Sequence, residues 1–165
     1  MSKITETLYI DDGKYVGEVK DGMPHGKGIM YYADGAKYEG AFAKGKPHGK
    51  GVYCWANGGK FEGILVNDEL RKGTYCYPDG HVYVGTFLNG FRHGKGTMYY
   101  ANDNKYVGSF DCDYLHGKGV YYYANGDKYK GTFVDNKPHG KGVYYWADGS
   151  SAKQFYENGN LIESE

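Results

Sequence analysis

The chain is short of the residues from which two-layer cores are ordinarily made. Of its 165 residues only 28 are Val, Ile, Leu or Phe, about 17%, below the roughly 20% at which a chain becomes suspect as a core builder. No apolar run approaches the roughly 18 residues of a transmembrane helix. The start, Met1-Ser2-Lys3-Ile4, lacks the apolar stretch of a signal peptide, and Ser2 stands where a myristoylation signal needs glycine. A soluble intracellular protein is therefore expected. Net charge is also missing: 20 Lys+Arg face 20 Asp+Glu, so no broad electrostatic footprint argues for nucleic acid. Cysteine is scarce, with Cys54, Cys76 and Cys112 and no Cys-x-x-Cys pair, the pattern of reduced thiols in a reducing compartment. What dominates instead is 20 Tyr and 28 Gly, which points to aromatic packing on a glycine-permitted backbone.

Those residues recur on a fixed period, and self-similarity decides the architecture. Tyr-x-Gly, once Phe-x-Gly, begins at Tyr15, Tyr38, Phe61, Tyr83, Tyr106 and Tyr129, in steps of 23, 23, 22, 23 and 23 residues. His-Gly-Lys-Gly keeps the same phase from His25, His48, His93, His116 and His139. Asp12-Gly13, Asp34-Gly35, Asn57-Gly58, Asp79-Gly80, Asn125-Gly126 and Asp148-Gly149, with Asn102-Asp103 in the remaining slot, mark tight turns that need positive φ. Each unit reads as two short strands. Tyr129, Gly131 and Phe133 share one face of the first, and Tyr144 and Trp146 share a face of the second, with Val143 and Tyr145 on the other.

The expected fold is all-β: an elongated, twisted, single-layer antiparallel β-meander of about 14 short strands, advancing roughly 10 Å per repeat. Residues 1–11 form an N-terminal half-repeat cap. Six repeats follow over 12–147 (12–33, 34–56, 57–78, 79–101, 102–124 and 125–147), then a degenerate half-repeat and tail over 148–165. There Ala152 replaces the repeat Tyr and Gln154 its Gly, and the acidic tail from Asn158 is expected to fray or to pack over the last edge.

The segment Tyr38 to Gly51, Tyr-Glu-Gly-Ala-Phe-Ala-Lys-Gly-Lys-Pro-His-Gly-Lys-Gly, resembles the MORN (membrane occupation and recognition nexus) repeat, and six copies in phase make the resemblance specific. It implies a β-hairpin solenoid with an aromatic-lined groove. It also implies a scaffold role in cytoskeletal, ciliary or membrane-associated assemblies, where members bind proteins and sometimes self-associate. Phosphoinositide binding was the family's first assigned role. In some members the repeats are joined to lipid kinase or lysine methyltransferase domains, and no such domain is expected within these residues.

Among candidate site residues the aromatic ladders lead. One holds Tyr15, Tyr38, Phe61, Tyr83, Tyr106 and Tyr129. A second holds Phe42, Phe87, Phe110 and Phe133, with Val19 and Leu65 in its gaps. A third holds Tyr32, Trp55, Tyr77, Tyr100, Tyr123 and Trp146. Cross-strand stacking explains part of each. A single layer cannot bury both faces, and Tyr31, Tyr99, Tyr122 and Tyr145 fall on the side opposite the third ladder, so aromatic surface is left for a partner segment, helix or extended peptide. Tyr→Ala at Tyr83, Tyr106 or Tyr129 is then expected to weaken a partner more than Lys→Ala at Lys95 or Lys118.

Lys27, Lys50, Lys72, Lys95, Lys118 and Lys141 form a column, and Lys14, Lys37, Lys60, Lys105 and Lys128 a second. Either attracts an anionic membrane in principle, but lysine that guards exposed edges against aggregation is the simpler reading. The Gly-Lys-Gly elements precede strands and lack the helix N-terminus of a phosphate loop. Their glycines instead leave room for a ring to lie over the backbone. Histidines one repeat apart cannot share a metal, whose ligands stand about 2 Å from it, and Cys54 and Cys76 are too far apart for a disulfide, which spans at most about 7 Å. No cofactor, metal set or catalytic constellation is expected. In repeat three Glu69-Leu70-Arg71-Lys72-Gly73 replaces Pro-His-Gly-Lys-Gly, with Leu70 read in the His slot and Arg71 in the Gly slot. The expectation is a non-enzymatic scaffold that binds a protein segment along an aromatic groove. Peripheral binding to anionic lipid and self-assembly or homodimerisation through the terminal edges are the alternatives.

Overall fold

The computed structural model describes residues 5–10 and 13–165; Met1 to Ile4 and Asp12, the first residue of the first turn signal, lie outside them. The described residues are all-β and contain no helix, so none long and apolar enough to cross a membrane. The chain divides into two compact units, Met1–Pro78 and Asp79–Glu165. The first carries β1 (Thr5–Ile10), β2 (Gly13–Lys20), β3 (Met23–Tyr32), β4 (Lys37–Ala43), β5 (Lys46–Cys54), β6 (Lys60–Val66) and β7 (Glu69–Cys76). The second carries β8 (Val82–Leu88), β9 (Phe91–Tyr99), β10 (Lys105–Asp111), β11 (Tyr114–Tyr122), β12 (Lys128–Val134), β13 (Lys137–Tyr145), β14 (Ser151–Glu157) and β15 (Asn160–Ser164). Within each unit every strand pairs antiparallel with its neighbours in chain order, the meander that two short strands per repeat predict.

Two kinds of turn alternate. At the repeat boundaries the Asx residues hold the turn: Asp34, Asn57, Asp79, Asn102, Asn125 and Asp148 each accept through Oδ1 the backbone N–H two residues on. The hairpins inside the repeats close on pairs with both φ values positive, such as Asn89-Gly90, Asp135-Asn136 and Asn158-Gly159, the type I′ geometry whose twist matches the strands. The last of these decides the tail between fraying and packing over the last edge. Asn158-Gly159 turns the chain back so that β15 pairs with β14, with Tyr156 opposite Leu161, giving fifteen strands where about fourteen were expected.

Each hairpin carries one β-bulge after its first Tyr-x-Gly, between Gly40 and Phe42, Gly85 and Phe87, and Gly108 and Phe110 for example. The extra residues include the first Gly of His-Gly-Lys-Gly, and Gly26, Gly49, Gly94, Gly117 and Gly140 all have positive φ there, which is costly for a side-chain-bearing residue. Repeat three lacks that glycine. Leu70 pairs with Leu65 as Pro47 pairs with Phe42 and Pro138 with Phe133, so Leu70 occupies the proline slot, not the histidine slot, and Arg71 follows it within a shorter bulge.

The interior is made by rings lying over glycine. Gly108 and Gly119 face each other across the β10–β11 pair, and a Cβ on either would collide with the Tyr106 phenol. The same holds for Gly28 beneath Tyr15, Gly51 beneath Tyr38 and Gly96 beneath Tyr83. Packed so, the hydroxyl reaches past the paired strands to a backbone carbonyl three residues on: Tyr15 Oη donates to Glu18 O at 2.7 Å, and Tyr38, Tyr83 and Tyr106 to Ala41, Thr86 and Ser109 O, each at 3.0 Å. Phenylalanines wedge edge-on between successive tyrosines. Phe42 meets Tyr15 and Tyr38 at centroid distances of 4.9 and 5.1 Å, and Phe110 meets Tyr83 and Tyr106 at 5.0 and 5.2 Å, the T-shaped geometry that aromatic quadrupoles favour. At the C-terminal end Tyr156 takes the Phe position against Tyr129 (5.2 Å). With Ala152 in place of a ring, Gln154 fills the glycine's space and accepts the Tyr156 hydroxyl at 2.8 Å.

Candidate functional site

Burial separates the three ladders. Tyr15, Tyr38, Phe61, Tyr83 and Tyr106 are fully buried and Tyr129 nearly so, and Phe42, Phe87, Phe110 and Phe133 are buried beside them. These ten rings make most of the core, with Met30, Leu65, Met98 and Leu115 beside them, and they present almost no surface to a partner. Tyr→Ala at Tyr83, Tyr106 or Tyr129 therefore reads out folding rather than contact. Burial also pushes the phenols of Tyr38, Tyr106 and Tyr129 up to about 12.

The third ladder is different. On the same face but nearer the repeat boundaries, Tyr32, Trp55, Tyr77, Tyr100 and Tyr123 are half-buried and Trp146 is exposed. Rings from the second strand of each hairpin join them into continuous rows. In the first unit Tyr32, Tyr53, Trp55, Tyr75 and Tyr77 follow one another with centroids 5.4, 4.5, 5.0 and 4.5 Å apart. In the second, Tyr100, Tyr121, Tyr123, Tyr144 and Trp146 do so at 5.8, 4.9, 5.8 and 5.1 Å. Polar groups brace the second row: Asn104 Nδ2 donates to Tyr121 Oη at 3.1 Å, and Tyr144 Oη donates to Asp127 Oδ2 at 2.8 Å. That bond holds the Asp127 carboxyl below its ordinary value. Partial desolvation lifts Tyr100 to about 12.

The opposite face carries the lysines. Register places Tyr31 against Lys37, Tyr122 against Lys105 and Lys128, and Tyr145 against Lys128. The Lys105 and Lys128 ammoniums stand 4.3 and 4.7 Å from the Tyr122 and Tyr145 ring centroids, so the second lysine column covers those tyrosines. In the first unit this face bears a recess of about 1230 Å³, lined by Val16, Ile29, Val52 and Ile64 among Glu18, Glu39, Glu62 and several lysines. The recess is thus aliphatic and charged, not aromatic. Lys37 and Lys60 there meet Glu39 and Glu62 at 2.9 and 3.7 Å.

The second unit has no such balance. Where Glu39 and Glu62 stand two residues after Lys37 and Lys60, the second unit has Val107 after Lys105 and Lys130 after Lys128. Lys27, Lys50, Lys72, Lys95, Lys118 and Lys141 are all exposed.

The hairpin tips hold contacts that reading one repeat at a time misses. His48, His116 and His139 each face the first turn residue of the next hairpin, 19 positions on. The Asn67 N–H reaches His48 Nδ1 at 3.4 Å and the Asn158 N–H reaches His139 Nδ1 at 3.3 Å, which fits the loop-to-strand role that repetition suggests. His93 instead faces Asp111 and Cys112. Cys54, Cys76 and Cys112 are free thiols, and the hydrogen bond to Asp111 raises the Cys112 thiol, so it is no activated nucleophile. Beside this tip Arg92, in the proline slot, donates from Nε to Asp113 Oδ1 and from Nη2 to Asp113 O, both at 2.8 Å, and lies over the Phe110 ring at 5.7 Å.

No curated protein sequence matches the chain significantly. Among solved structures, the TCP domain of Drosophila melanogaster SAS-4 (dCPAP), in complex with a proline-rich motif of Ana2 (dSTIL), superposes with a TM-score of 0.54 at 14% identity, covering 92% of this chain and 90% of that one. The TCP10 domain of Danio rerio CPAP, in a point-mutant form, gives a TM-score of 0.32 at 15% identity, covering 98% and 88%. The CPAP G-box domain gives 0.37 at 12%, covering 98% and 97%. The first of these shares the fold. The MORN repeat family model matches six times without a break, over residues 15–37, 38–60, 61–82, 83–105, 106–128 and 129–151, and the chain belongs to the MORN repeat family.

Proposed function

We propose that the chain is a non-enzymatic scaffold that binds a segment of a protein partner, helix or extended peptide, along the accessible aromatic rows of its units. The observation that carries this reading is the row in each unit: Tyr32, Trp55 and Tyr77 in the first and Tyr100, Tyr123 and Trp146 in the second keep ring surface open to solvent, while the rings beside them are fully packed. Rigid Tyr and Trp surface set on a preorganised sheet is what binding energy concentrates upon. The proline-rich motif held by the SAS-4 domain supports an extended segment as occupant, since such segments dock on aromatic surfaces with little ordering cost. Family membership supports placement in a cytoplasmic assembly at the cytoskeleton, a cilium or a membrane.

The test is quantitative affinity purification from the source cell with wild type and two surface variants, Trp55→Ser/Tyr77→Ser and Tyr123→Ser/Trp146→Ser. Far-ultraviolet circular dichroism first verifies retained β content. A protein enriched by wild type and lost by either variant supports the row; the same partners recovered by all three would sink it.

A second reading, association with an anionic membrane, is favoured by one observation: Val107 and Lys130 stand in the second unit where Glu39 and Glu62 pair with lysine in the first. It requires binding to phosphatidylserine vesicles that weakens with salt and is lost in Lys118→Glu/Lys130→Glu. Binding unchanged by those substitutions would remove it.

A further inference from the structure

At two hairpin tips the same contact recurs, and at a third its place is taken by something else. Where Asn67 and Asn158 occupy the first turn position, a backbone N–H fills the Nδ1 lone pair of the preceding histidine. At the β10–β11 tip that position is Cys112, held at a φ of 45° in a turn that favours Asn and Asp. The His93 Nδ1 is shielded from solvent and, among the described residues, has no hydrogen-bond partner. Asp111 Oδ1 stands 3.3 Å from it, close enough for a hydrogen bond but not aligned for one. Nδ1, a carboxylate oxygen of Asp111 and the Cys112 sulfur all lie within 4.8 Å of one another.

An imidazole nitrogen, a carboxylate and a thiol that converge so closely offer three ligands to a cation, which on binding takes the place of the Cys112 thiol proton. Two ligands at about 2.0–2.1 Å from a tetrahedral metal are separated by about 3.3 Å, the His93–Asp111 spacing already present. Cys112, which completes the set, lies at an exposed tip. One imidazole, one carboxylate and one thiolate suit a borderline transition-metal ion; calcium and magnesium take oxygen ligands. The neighbouring tip is an internal control, for there His116 faces Asp135 at 3.9 Å and no thiol.

We propose that His93, Asp111 and Cys112 bind a single zinc-class divalent cation, with the fourth position open to water or to a donor from a partner. The ion joins β9 to the tip of the β10–β11 hairpin, the link that a histidine–asparagine contact makes elsewhere in the chain.

Cobalt(II) is the probe, titrated into the full chain under a non-thiol reductant. The expected result is one equivalent bound, with visible bands of a four-coordinate ion and a thiolate-to-cobalt charge-transfer band, both displaced by zinc. Cys112→Ser abolishes the charge-transfer band, and His93→Gln weakens binding by at least about tenfold. Cys54→Ser/Cys76→Ser and His116→Gln leave both signals unchanged. Zinc raises the melting temperature of wild type and not of Cys112→Ser. Absence of the charge-transfer band in wild type, its persistence in Cys112→Ser, or its loss in Cys54→Ser/Cys76→Ser would overturn the site.

Discussion

Gly119→Ala tests whether rings packed over glycine are what hold this sheet together. Gly119 has no positive φ, so its backbone accepts alanine and only space is at issue. Three atoms of the Tyr106 phenol, Oη, Cε2 and Cζ, stand where the new methyl would lie. The ring cannot yield sideways, because Phe110 and Phe133 close on it edge-first at 5.2 and 5.1 Å. Overpacking of this kind costs about 1–3 kcal/mol. Displacing the ring also breaks the 3.0 Å bond from Tyr106 Oη to Ser109 O, about 1 kcal/mol, and disturbs two aromatic pairs of about 0.5–1.5 kcal/mol each. A loss of about 3 kcal/mol follows, which in urea moves the unfolding midpoint down by about 1.5 M at a slope of about 2 kcal/mol per M. The same alanine placed in a Tyr106→Ala background meets no ring and costs less than about 0.5 kcal/mol, so the double-mutant cycle shows strong coupling. Additive losses, or a Gly119→Ala midpoint equal to wild type, would refute the packing argument.

Three further outcomes follow from the same structure. Tyr38→Phe loses the bond to Ala41 O and about 1 kcal/mol, whereas Tyr129→Phe is neutral or stabilising, because the Tyr129 hydroxyl is buried without a hydrogen-bond partner among the described residues and its removal relieves that cost; paired urea curves check the difference in sign. The phenols of Tyr38, Tyr106 and Tyr129, raised from 10.0 to about 12 by burial, keep their protons in the folded state longer than in the unfolded one. Their contribution is therefore complete below pH 10, falls as pH rises from 10 toward 12, and appears as urea midpoints that drop steeply over that window and not below it. Arg92→Ala removes the paired bonds to Asp113 and the cover over Phe110, costing about 1–3 kcal/mol, with hydrogen exchange increased at the Tyr114 to His116 amides; unchanged exchange there would contradict the bracing role.

Period and turn chemistry were legible from residues alone, since Tyr-x-Gly, His-Gly-Lys-Gly and the Asx-Gly pairs each state a local geometry. Glycine as a seat for rings was also legible, because nothing else accounts for facing glycines in a strand pair. Which aromatics stay accessible was not. Alternation assigns Tyr106 and Tyr123 to one face of the sheet, but only the herringbone with Phe110 and Phe133 buries the first, while the second sits near the repeat boundary beyond the last phenylalanine. The Leu70 slot was misplaced because aligning motif letters put the missing residue before the bulge, and the register puts it inside. The acidic composition of the tail leaves fraying and edge packing both open, and Asn158-Gly159, the same turn signal seen elsewhere, selects the second. The His93–Asp111–Cys112 cluster lies between repeats, so comparison at a 23-residue period hides it and an offset of 19 finds it.

A partner is expected to lie on the aromatic rows and not on the lysine face. A photo-crosslinking phenylalanine analogue placed singly at Tyr77 or Tyr123, and as controls at Val52 or Val107 on the lysine face, reports that position in cell extract. The prediction is partner adducts from positions 77 and 123 and none from 52 and 107. Adducts confined to the lysine face would contradict it and make that face the binding surface.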